Sequence, residues 1–143
     1  MASAAKSGQG SLLKIGDGAS PEVFATIGEV GDIKGPKIKN SFEDVTSHDS
    51  TGGLEEFIAT FTTQDSVKFE ANYLPANATQ SYAAGLLAKA LNRGKTNFQL
   101  VPAGQSVTLA FAAYVEEWEL SLPVKGVQKI SVSLKPSGVL TQT

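Results

Sequence analysis

Hydrophobic positions along this chain alternate with polar ones over most of its length and take a three-and-four spacing only once. The pattern therefore predicts a mainly β protein with one helix. Residues 11–15 read as a short apolar strand. GDGASPE at 16–22 stacks Gly, Asp, Ser and Pro and reads as a tight turn, leading into a second strand region at 23–33. Over 57–74 the pattern predicts a hairpin. Phe57, Ala59 and Phe61 alternate with Ile58, Thr60 and Thr62, then after a turn at 63–66, Val67, Phe69, Ala71 and Tyr73 alternate with Lys68, Glu70 and Asn72. Such a hairpin is expected to have one buried face and one wet face.

The period changes at residues 79–93. Ala83, Leu86, Leu87, Ala90 and Leu91 form the stripe of an amphipathic helix, with Asn77 or Thr79 as N-cap and Arg93 and Gly94 closing it. Strands are expected again at 97–101, 107–120 and 127–134. The strand at 107–120 is apolar on both faces, with Val107, Leu109, Phe111, Ala113 and Val115 on one and Ala110, Ala112, Tyr114 and Trp118 on the other. A strand of that kind is covered on both sides, and a neighbouring subunit is one way to cover it. A single helix covers only one face of a sheet, so the expected architecture is α+β: a β-sandwich or barrel with one flanking helix. Residues 1–10 and 136–143 read as flexible ends.

One stretch departs from this economy. Residues 40–56, NSFEDVTSHDSTGGLEE, form a polar run longer than the roughly 12–15 residues beyond which structureless loops are usually functional or disordered. The run carries Glu43, Asp44, Asp49, Glu55 and Glu56 with no Lys or Arg, directly after a stretch holding Lys34, Lys37 and Lys39. It is expected to be a long extended loop that reaches another surface.

Composition narrows the remaining chemistry. The 143 residues suit one domain, and 12 basic against 14 acidic side chains give a net charge of −2, no electrostatic reason to hold nucleic acid or an anionic membrane. The first twenty residues lack the apolar core of a signal peptide, so a cytoplasmic start is expected, and zero Cys removes disulfides and thiol chemistry. The single histidine, His48, lies beside Asp49 and Ser50, but a catalytic triad is normally assembled from separate segments, and no oxyanion cradle accompanies it. Glu43, Asp44, His48 and Asp49 do not follow the twelve-residue register of an EF-hand. Glu116, Glu117 and Glu119 read as a solvated strand end. No catalytic, cofactor or metal site is predicted. Tyr114 and Trp118 on one strand face leave an alternative open: a monomeric β-sandwich binding module for a carbohydrate or protein ligand.

Taken in order, GDGASPEVFATIGEVGDIKGPKI, DVTSHDSTGGLEEFI, VKFEANYLP, the GLLAKAL helix, FAAYV and LKPSG resemble the major tail tube protein of long-tailed bacteriophages over nearly the whole chain. The fold is similar to that of the type VI secretion tube protein. The resemblance implies a structural virion protein whose copies close into hexameric rings that stack into a tube, the conduit for genome ejection. By that resemblance the loop of Glu43, Asp44, Val45, Thr46, Ser47, His48, Asp49, Ser50, Thr51, Gly52 and Gly53 contacts the neighbouring ring. Lys34, Lys37, Lys39, Lys125, Lys129 and Lys135 are the candidate complementary basic surface. The implied partners are further copies, a tail-tip initiator, a tape measure and a tail terminator. DNA would pass through the lumen without specific binding. The implied place is the virion tail, assembled in the host cytoplasm without a membrane or cofactor.

Overall fold

A computed structural model describes residues 3–143; Met1 and Ala2, the first two positions of the expected N-terminal arm, lie outside the described residues. The elements are β1 Leu12–Gly16, β2 Phe24–Thr26, β3 Val30–Lys34, β4 Lys37–Asp44, β5 Phe57–Asp65, β6 Val67–Asn72, α1 Leu86–Asn92, β7 Thr96–Val101, β8 Leu109–Ser121, β9 Lys129–Pro136 and β10 Thr141–Gln142. The architecture is mainly β, with one helix.

Eight strands form one antiparallel sheet in the order β2-β1-β7-β8-β9-β6-β3, with β10 added against β8. The strands at its two ends, β2 and β3, are separated in sequence only by 27–29. Three residues span about 10 Å at most, so the sheet must curl until its ends meet. The curled interior is the core. Inward positions alternate along each strand: Leu13 and Ile15, Val67, Phe69 and Ala71, Phe98 and Leu100, and Ile130, Val132 and Leu134 are all buried. Phe98 and Phe111 stack at 5.9 Å between β7 and β8.

Several expected elements take another form. The hairpin expected over 57–74 does not exist, because β5 pairs with β4 in a separate two-stranded sheet while β6 pairs with β3 and β9. The expected loop at 40–56 is shorter at its start, since Asn40 to Asp44 complete β4. The second strand region is two strands, broken where Glu29 takes a left-handed conformation (φ 50°). The C-terminal tail carries β10, which pairs Thr141 with Ala110 and Gln142 with Leu109.

The helix is half the expected length. Gly85 stands at its N-cap in an extended conformation with no side-chain cap, and a Cβ there would lie 2.2 Å from the Ser81 amide nitrogen. Residues 79–84 therefore fold back tightly on Gly85 and leave the helical path. Asn77 instead receives the Thr79 amide at 2.9 Å, a turn rather than a cap. At the other end Arg93 itself adopts the left-handed conformation expected of Gly94 (φ 56°).

Candidate assembly surface

The β4–β5 ribbon is the part of this molecule that its own core does not explain. Its strands pair from Lys37 opposite Asp65 to Asp44 opposite Phe57. Every residue of β4 and the first seven of β5 are exposed. Yet the ribbon carries large apolar side chains: Ile38 is 54% exposed, Phe42 62%, Phe57 54%, Ile58 53% and Phe61 77%, and Leu54 in the connecting loop 70%.

Register decides how these are displayed. Ile38, Asn40, Phe42 and Asp44 share one face of β4, and their cross-strand partners Gln64, Thr62, Ala59 and Phe57 lie on that same face. A bulge between the Asn40 and Phe42 pairings inserts one extra residue in β5, which keeps Phe57 and Ala59 beside Phe42. Ile38, Phe42 and Phe57 thus stand on one face, and Ile58, paired with Glu43, stands on the other with Lys37 and Lys39, so both faces show exposed apolar side chains. A lone two-stranded ribbon is marginal in water, and an exposed apolar patch marks a contact surface.

The root of the ribbon is anchored. Gly35 turns the chain out of the main sheet at φ 113°, where a Cβ would sit 3.1 Å from the Val67 Cα, so a glycine is required. Lys37 Nζ meets Asp65 at 3.5 Å, and the Gln64 side-chain amide donates to the Gly138 carbonyl. The far end is tied by its own hydrogen bonds. Val45 N–H donates to the Glu56 carbonyl at 2.9 Å, Glu56 N–H donates to Thr46 Oγ1 at 2.8 Å, and Ser50 Oγ donates to the Glu56 carboxylate at 3.0 Å. Asp44 accepts the Thr46 amide at 2.8 Å, and hydrogen bonding from the Thr46 side chain, then its backbone, holds the carboxyl below its usual pKa. The predicted contact loop, Glu43 to Gly53, is therefore the tip of a ribbon closed on itself, with a 3-10 turn at Thr51–Gly53.

The expected basic residues divide into two groups. Lys34, Lys37 and Lys135 line one cleft at the ribbon root with Lys68, Asp65 and Ser66, and Lys39 lies two residues further out along β4. Lys129 stands at the opposite end of β9 from Lys135, and Lys125 lies in the β8–β9 connection. Lys68 was missed because its place depends on β6 pairing with β3, which no local pattern encodes.

Two alternatives lose their geometry. A second bulge, between Val115 and Glu117 of β8, shifts the side-chain parity, so Tyr114 and Trp118 do not share a face. Tyr114 is exposed, whereas Trp118 packs against the core and meets Tyr73 edge-on at 6.3 Å. In the HDS tripeptide the Ser50 hydroxyl is given to Glu56.

No protein-family profile matches the sequence, and no curated protein sequence matches it. Solved structures do. A chain from the tail of an empty gene transfer agent particle, refined with C6 symmetry, superposes with a TM-score of 0.77 at 17% identity, covering 97% of this chain and 99% of that one. The tail tube of SPP1 gives 0.70 at 15% identity, covering 95% and 77%. The chain has the fold of a tail tube protein. A chain from the sheath/tube terminator structure of an extracellular contractile injection system superposes with a TM-score of 0.71 at 10% identity, covering 100% of this chain and 99% of that one.

Proposed function

We propose that this chain is the structural protomer of a tail tube. Copies close into rings of six, rings stack, and the lumen is the conduit by which a genome leaves a virion. The observation that carries the reading is the ribbon: on the tail tube fold, a pair of strands whose large apolar side chains the isolated chain leaves in water. A tube supplies what is missing, because a heterologous contact places one surface of each copy on a different surface of the next. The number six is supported by the C6 symmetry used in refining the gene transfer agent tail.

Within this reading the tip from Glu43 to Gly53 makes the contact between rings, and further tail components bind the ends of the stack. The chain acts as one unit without catalysis. A net charge of −2 gives passing DNA no reason to stay. Light scattering on concentrated protein tests the proposal. The expected mass is six times 14.9 kDa or a multiple of it; a mass of one chain at all concentrations speaks against it.

A further inference from the structure

We propose that the lysine cleft at the ribbon root is the receptor for the acidic ribbon tip of a second copy of this chain, so that stacking is electrostatic and directional. The inference rests on the tube reading and names the surface that reading leaves open.

Lys34 stands directly opposite Lys68 in the β3–β6 ladder, and Lys135 follows on the same face, two residues beyond the Ser133 that pairs with Lys68. Like charges placed directly opposite on a sheet destabilise it. Lys37 brings a fourth ammonium to this cleft of about 450 Å³, and the one ion pair found among the described residues joins Lys37 to Asp65. Asp32 and Glu70 line the adjoining hollow, which Lys34 and Lys68 also line, so the positive excess is greatest toward Lys37 and Lys135 at the ribbon end. Asp65 and, through Ser66, Glu116 are the carboxylates at the cleft itself, which leaves four ammonium groups for two carboxylates and room for carboxylates from outside.

The chain carries those carboxylates itself. Glu43, Asp44, Asp49, Glu55 and Glu56 crowd the ribbon tip with no Lys or Arg among them, and all five are exposed. The eight residues of β4 separate tip from root by about 25 Å at about 3.3 Å per residue. A rod negative at one end and positive at the other pairs head to tail. Because tip and root are different surfaces, the contact is heterologous, and between rings displaced along one axis it repeats from copy to copy. The two kinds of contact are then held by different forces: salt does not screen burial of the ribbon's apolar side chains, and it does screen the tip in the cleft.

Charge reversal tests this pairing. D49K/E55K and K34E/K68E alter exposed side chains, and each alone is expected to reduce the pelleted tube fraction at least about tenfold, since like-charge juxtaposition at an interface costs several kcal/mol. Both pairs in one chain restore opposite charges and are expected to restore tubes. Normal tubes from K34E/K68E, or failure of the combined chain to recover while it remains folded, would overturn the proposal. So would normal tubes together with lost retardation of a short DNA duplex, which would make the cleft a phosphate site. If the unaltered chain forms no rings, the tube reading fails separately. The cleft is then judged by carbodiimide cross-linking of mixed isotope-labelled copies: links from Lys34 or Lys68 to tip carboxylates between copies uphold it, and links only within copies overturn it.

Discussion

Gln80 is 2% exposed, and its side-chain amide joins three segments. It donates to the Gly28 carbonyl at 3.1 Å and the Asn72 carbonyl at 3.0 Å, and accepts the Leu74 amide at 2.9 Å. The β2–β3 connection, the end of β6 and the turn before the helix are thereby fixed together. Gln80→Leu orphans three backbone groups, with an expected loss of roughly 2–4 kcal/mol in urea unfolding; an unchanged midpoint would refute this. The sequence hides the role, because Gln80 falls outside the apolar stripe of the helix expected over 79–93 and there reads as surface. Asp17 is more legible. Its carboxylate accepts the Ala19 and Val23 amides at 2.9 and 3.1 Å, and these bonds hold its pKa below the ordinary value. A pKa lowered on folding contributes stability above the unfolded value of about 3.9 and loses it as pH falls through the folded one. Asp17→Asn is therefore expected to flatten the decline of Tm below about pH 4.

At the scale of elements, the sequence is most reliable where a strand alternates against its own core, as in β6, β7 and β9. It misleads at β5 for an instructive reason. Phe57, Ala59 and Phe61 alternate as a core-facing strand does, but the bulge opposite Ser41 separates Phe61 from the other two, and alternation does not say what covers a face. Whether a strand's own domain or another copy covers that face is decided by pairing partners distant in sequence. The helix fails differently: the apolar spacing around Leu86 is real, but the backbone at Gly85 cuts it short. The ribbon makes a prediction at this scale. F42S/F57S removes side chains that the single chain leaves more than half exposed, so the loss of unfolding stability is expected to be no more than about 1 kcal/mol. Assembly measured by size exclusion should nevertheless be lost. A variant that assembles normally would show that these apolar side chains make no contact.

For the whole molecule, the rolled sheet, the outlying ribbon and the opposed charges of its tip and root describe a unit completed by its neighbours. The acidic run was legible as a segment reaching outward, since five acids without a base do not pack in a core. The cleft was not legible, because Lys34, Lys68 and Lys135 come from three strands that only the sheet order brings together. Stacked rings are the central claim, and negative-stain electron microscopy of concentrated protein tests them most directly. The account predicts rings of six copies around a central hole, stacked into tubes. Uniform single-chain particles at the highest attainable concentration would contradict it.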